Sequence, residues 1–225
     1  MPIIRIGPKL IYFAHVPKCA GTAVETYLSR RFGRQAMAFL DSGHLELPGA
    51  VRWSLSSPQH IDTDALARLF PAGFFDASFA VVRHPALRLR SVYRYQRDVQ
   101  RRIDPGTGFS AWLEGLHEQW ERDPWYLDNH TRPMAEIVPD GARFFRLEDG
   151  LGALVAWLDE QAGQSHAKHR EIAPSHTLAE RLAAVGHDPG PDVRLSAADL
   201  AWVATLYAED YARFGYGETL PLTGE

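Results

Sequence analysis

Lys18, Gly21 and Thr22 fall together in the run Pro17-Lys18-Cys19-Ala20-Gly21-Thr22, between the apolar segment Leu10-Ile11-Tyr12-Phe13-Ala14 and a stretch that reads as a helix from Thr22 to about Gly33. Free backbone N–H groups and the positive dipole end make such a helix start a site for phosphate. Gly21 lets backbone approach the anion closely, and Lys18 adds a mobile positive charge. Taken alone, so short a motif is also compatible with a plain turn and an exposed lysine. A Walker A loop needs lysine directly after its second glycine; here Lys18 precedes Gly21 and no Gly-Lys pair occurs in the chain, which disfavours a kinase or ATPase. A phosphatase using Cys19 would exploit a helix start beside lysine to lower the thiol pKa. The arginine that such a loop requires six residues later is Glu25.

The same grammar returns at Phe79-Ala80-Val81-Val82, followed by Arg83-His84-Pro85 and a helix from about Ala86. Arg83 stands at the carboxyl end of a strand, where open α/β sheets hold their ligands. Ser91 follows about two helical turns later, so guanidinium and hydroxyl can converge on a second anion. A single arginine there would read as half of a structural ion pair; with the Lys18 loop it reads as the second of two anion sites.

Together these segments resemble the phosphosulfate- and 3′-phosphate-binding motifs of sulfotransferases that use 3′-phosphoadenosine 5′-phosphosulfate (PAPS), in the carbohydrate-type branch. There the first motif is usually Pro-Lys-Thr-Gly-Gly-Thr and the second Arg-Asp/Asn-Pro-x-x-Arg-x-x-Ser. Arg83, Pro85, Arg88 and Ser91 match the second, with His84 in place of the acid or amide; Cys19 and Ala20 depart from the first. Similarity extends through Asn129-His130-Thr131-Arg132-Pro133 and Phe145-Arg146-Leu147-Glu148 to the closing Tyr207–Tyr216 segment.

The resemblance implies in-line transfer of a sulfuryl group from PAPS to an acceptor hydroxyl, leaving 3′-phosphoadenosine 5′-phosphate (PAP) and requiring no metal. Lys18 would stabilise charge on the departing bridging oxygen. Residues Pro17, Lys18, Cys19, Ala20, Gly21, Thr22 and Ala23 would hold the 5′ end, chiefly through backbone N–H groups, and Arg83 with Ser91 the 3′-phosphate. The acceptor needs a base, and histidine suits work near neutrality. His60, in the loop Ser57-Pro58-Gln59-His60-Ile61-Asp62, is the first candidate; Glu25, His44 and His15 are alternatives. His166 and His169 have metal-like spacing but no third ligand in the sequence.

Acceptor contacts are assigned to His130, Arg132 and Arg94. Arg90, Arg94, Arg97 and Arg101 recur at helical spacing, as an anion-facing stripe or a solvated face. Trp112, Trp120, Trp125 and Tyr126 can stack on sugar rings or fill a core. A saccharide acceptor is expected. Two other functions stay open: a module that binds the 3′-phosphorylated nucleotide without turnover, and a P-loop-type kinase using ATP.

Elements must exist to position these groups. Three strand-then-helix units, with strands at 10–14, 79–82 and 143–147, predict an α/β, P-loop-NTPase-like three-layer fold with a central parallel sheet flanked by helices. Short helices are predicted from Asp62 to Phe70 and from Leu178 to Val185, and a final one from Ser196 to Gly215. The 225 residues form one domain, with a loop-rich insert over 164–191. A net charge of −4 argues against a nucleic-acid partner. One cysteine, no leader-like apolar run and no segment approaching a membrane span predict a cytoplasmic protein. Oligomeric state is left open.

Overall fold

The computed structural model of the protein describes residues 2–38, 54–163 and 171–221. Among these, the sheet has strands β1 (Ile3–Ile6), β2 (Lys9–Ala14), β3 (Met37–Ala38), β4 (Ala77–Val82) and β5 (Arg143–Arg146), in the order β3-β1-β2-β4-β5. Strands β2, β4 and β5 pair in parallel, Ala14 opposite Ala80 and Val82 opposite Arg146. Ile11 to Ala14 and Phe79 to Val82 are fully buried, as apolar runs covered on both faces must be.

The sheet is mixed rather than parallel throughout, because β1 runs antiparallel to β2 and β3 antiparallel to β1. Only Gly7 and Pro8 separate β1 from β2, with Gly7 at φ +58°. So short a link makes a hairpin and cannot make a crossover. The Gly-Pro pair was the signal for this turn.

The helices are α1 (Gly21–Phe32), α2 (Thr63–Leu69), α3 (Pro85–Arg94), α4 (Phe109–Glu114), α5 (Leu116–Arg122), α6 (Gly152–Ala162), α7 (Leu178–Val185), α8 (Ala197–Leu206) and α9 (Ala208–Phe214). One apolar cluster joins the sheet to α1, α2 and α6; a second joins α3, α4, α5 and α8. Pro85 opens α3, where its missing N–H costs nothing. Asp62 caps α2 by accepting the Ala65 N–H at 2.8 Å. A Thr177–Glu180 capping box starts α7, within the described part of the predicted insert. Residues 164–170, with His166 and His169, lie outside the described residues, as does His44.

The predicted final helix is two helices. After the Ser196–Asp199 capping box it breaks at Tyr207, at φ −115° and ψ 30°. The buried Tyr207 hydroxyl donates to the Thr131 carbonyl at 2.5 Å. One turn further on, Asp210 accepts from the N–H groups of Met134 and Ala135 at 2.9 and 2.8 Å. A continuous amphipathic pattern therefore gives way to two tertiary anchors. Asp210→Ala strands two buried N–H donors and lowers the unfolding free energy by about 2–4 kcal/mol, measured by urea denaturation; Asp210→Asn, with one acceptor atom in place of two, recovers only part.

Candidate active site

Parallel pairing of β2 with β4 sets the loops that leave their carboxyl ends side by side, and both face one cavity of about 780 Å³. Lys18, Gly21, Thr22 and Ala23 line it from the first loop and α1, and Arg83 and Ser91 from the second. Pro17 and Ala20 also reach the lining. The Cys19 side chain is buried in the core instead, so only its backbone belongs to the loop. Burial pushes its thiol up to about 12, which removes the thiolate that a cysteine phosphatase requires.

The loop's special backbone positions are not the glycine. Lys18 and Ala20 adopt φ +66° and +59°, whereas Gly21 does not. Gly21 is required because the His15 imidazole occupies the space of its side chain: a Cβ there would lie 1.9 Å from Nε2. Ala20 is the N-cap of α1 and gives it no side-chain cap, so the first N–H groups of the helix stay available to an anion.

Lys18 Nζ sits 4.1 Å above the Tyr95 ring. Burial, then the charges of Arg181 and Arg83, lower its pKa to about 8. Among the described residues no carboxylate lies within ion-pair distance of Lys18, Arg83 or Arg181. Partly buried cations gathered with no carboxylate in ion-pair contact are a cradle for a polyanion.

Beside the cradle lies an imidazole–carboxylate pair. Asp128 Oδ2 accepts from His60 Nδ1 at 2.7 Å and from Ser57 Oγ at 2.8 Å, and Oδ1 accepts the Ser57 N–H at 2.6 Å. Despite burial, these hydrogen bonds hold the Asp128 carboxyl down at about 2. An ionised acceptor at Nδ1 sets the tautomer that leaves the His60 Nε2 lone pair available.

Asp128 sits in an unusual backbone run. Leu127, Asp128 and Asn129 adopt φ +53°, +58° and +60° in succession, each costing on the order of 1–2 kcal/mol. Asn129 Nδ2 ties this run to the His60 carbonyl at 2.8 Å. The fully buried Arg88 guanidinium donates to the carbonyls of His130 at 3.1 Å and Arg132 at 3.0 Å. Arg88, matched only as a motif position, is thus a brace for the segment carrying Asp128.

Other predicted residues divide. His130 lines the cavity; its ring makes an edge contact with His60 at 4.8 Å and stacks on Tyr95 at 5.9 Å, and burial holds it neutral. Arg94 and Arg90 line the cavity as well. Arg132 does not: its guanidinium is taken by Asn129, Glu136 and the Pro124 carbonyl. Glu25 is outside the lining, held by His15 Nδ1 at 2.7 Å and Gln59 Nε2 at 2.8 Å. Arg97 is buried against Asp98, not solvated, and Arg101 turns to His187. Trp112 fills the second core and Trp120 bonds Thr131; neither these nor Trp125 and Tyr126 reach the cavity. His84 cannot cap α3 as an acid or amide would. Its Nε2 faces the Gly217 carbonyl at 3.0 Å, and Glu148 accepts the His84 N–H at 2.8 Å.

Sequence reading missed Tyr95, Gln96, Arg102 and Arg181 in the lining and Asp128 as the partner of His60. Helical spacing from Ser91 carried a weak signal for Tyr95; nothing local linked Asp128 to His60, and Arg181 carried no signal. Ligand atoms of His60, Asp128 and His130 lie within 4.8 Å of one another, a grouping a metal could use. The lining cations and the engagement of both Asp128 oxygens work against a cation there.

The family model described as "Sulfotransferase family" matches residues 2–217. Searches of the curated proteins and of the solved structures return no match. Because Ala20 occupies a left-handed position, Ala20→Gly relieves strain and raises the unfolding free energy by roughly 0.5–1 kcal/mol, read from the urea midpoint at constant slope.

Proposed function

The chain belongs to the sulfotransferase family, and on that premise we propose that it transfers a sulfuryl group from PAPS to an acceptor hydroxyl, with a saccharide or glycoconjugate as acceptor. One observation carries this: Lys18, Arg83 and Ser91 share a cavity with a carboxylate-oriented His60. The strand–loop–helix around Lys18 serves as a P-loop-like cradle for the 5′ end. Arg83 and Ser91 take the 3′-phosphate, which distinguishes PAPS from ATP.

In the proposed step the acceptor oxygen attacks sulfur in line, and its proton passes to His60 Nε2. The S–O bond to the bridging oxygen breaks, and the electron pair stays on the 5′-phosphate of the leaving PAP. Asp128 holds the imidazole and stabilises the imidazolium that forms. Lys18 meets the charge that develops on the bridging oxygen, so its attraction is greater in the transition state than in the ground state. Glu25, engaged by His15 and by the neighbour of His60, acts as a positioning residue. The polar lining of Gln96, Gln100 and Arg94 suits a hydroxyl-rich acceptor better than an apolar one.

Thermal shift tests the donor: PAP at about 100 times its Kd adds about 2.7 kcal/mol of stability, and equal protection by ATP overturns the assignment. His60→Gln lowers turnover by about 10²–10⁴-fold with PAP affinity unchanged in calorimetry, and Asp128→Asn follows it in part. Retained turnover in His60→Gln moves the base elsewhere.

Lys18 supplies a pH signature. Its ammonium is required by the bound anion yet disfavoured in the free protein, so affinity for PAP falls as pH rises through about 8. At pH 8 binding restores the proton. Calorimetry in buffers of differing ionisation enthalpy detects that uptake in the wild type and loses it in Lys18→Met.

A further inference from the structure

Ser175, His176, Thr177, Leu178 and Arg181 line the same cavity as the Lys18 loop, though nothing in their sequence marks them as a binding segment. Arg181 is partly buried, and its guanidinium has no hydrogen-bond or ion-pair partner among the described residues. Ser175 Oγ is buried and also lacks a hydrogen-bond partner, an unpaired donor in the lining of a cationic cavity. Buried polar groups are rarely left unsatisfied in a finished site, and an anion in the cavity would satisfy both.

The segment is fastened from behind. Arg97, buried beneath it, pairs with Asp98 and donates to the Pro191 carbonyl at 2.8 Å. Gly190 permits the approach, since a Cβ there would lie 2.6 Å from Arg97 Nη2. His187 Nδ1 meets the Asp98 carbonyl at 3.0 Å. Arg97 and Asp98 belong to the π-helical turn Tyr95–Val99, whose first residue lies under Lys18 Nζ. One turn therefore carries both Tyr95, in contact with the Lys18 ammonium, and the anchor of the strap that bears Arg181.

Resting on PAPS as the donor, we infer that Arg181 is a further donor-binding residue, its guanidinium taking the 5′-phosphosulfate end alongside Lys18, with Arg97 as the residue that positions the strap. The 5′ end is favoured over the 3′ end because the turn that anchors the strap through Arg97 is the one that holds Tyr95 under Lys18 Nζ. An arginine can contact two oxygens of one tetrahedral anion, which a second lysine could not do as well.

Calorimetry with adenosine 3′,5′-bisphosphate, adenosine 5′-monophosphate and adenosine 3′-monophosphate separates the ends. Arg181→Ala weakens the bisphosphate and the 5′-monophosphate by about tenfold or more and leaves the 3′-monophosphate unchanged; Arg83→Ala does the reverse. Arg97→Met weakens the same two ligands as Arg181→Ala and adds little in the double variant, because it acts through Arg181. If Arg181→Ala binds all three as the wild type does, or loses the 3′-monophosphate equally, the assignment of Arg181 is overturned while the donor stands. If the wild type binds none of the three, the donor itself is wrong and Arg181's role goes with it.

Discussion

Parallel pairing between β2 and β4 is the constraint from which the site follows. Because Ala14 lies opposite Ala80, the two strands leave the sheet on the same edge, β4 two residues beyond β2. The Lys18 loop and Arg83 then meet over one cavity. A slip of one residue would exchange the two covered faces of one strand and shift its loop along the sheet, so core packing and the placing of Lys18 relative to Arg83 are set by the same contacts.

Around this frame, function is held by buried polar side chains more than by helices. Arg88 and Asn129 secure a run of three left-handed residues, of which Leu127 has no local preference for that conformation, and through it the carboxylate that orients His60. Glu25 ties the His60 loop to α1 through Gln59, and His15 fills the notch left by Gly21. Strain at 127–129 persists because these partners over-determine it. Motif positions that look like ligand contacts are thus divided between those that touch the cavity, such as Arg83 and Ser91, and those that shape it, such as Arg88.

Charge is organised against the chain's average. The protein carries a net −4, yet Lys18, Arg83, Arg90, Arg94, Arg102 and Arg181 all line one cavity, with Asp128 the one acidic side chain among the described residues of the lining. Low surrounding dielectric focuses such a field and strengthens each contact with an incoming anion. The depressed Lys18 pKa reflects burial first and repulsion from Arg181 and Arg83 second, both of which a bound polyanion would offset.

Sequence alone marked the strand–loop–helix units, the caps at Asp62 and Ser196, and the Lys18 loop, Arg83 and His60, which the fold places around one cavity. Each rests on residues within a few positions of one another, where hydrophobic period, turn chemistry and motif spacing act locally. It misjudged Arg97 and Arg132, which spacing alone makes look solvent-facing or ligand-facing, and it ran the last helix through Tyr207. The mixed sheet, the pairing of His60 with Asp128, the bracing role of Arg88 and the arrival of Arg181 were decided only by the tertiary structure. Each joins segments tens of residues apart, and what a side chain does there depends on which buried partner the folded chain brings within hydrogen-bond reach.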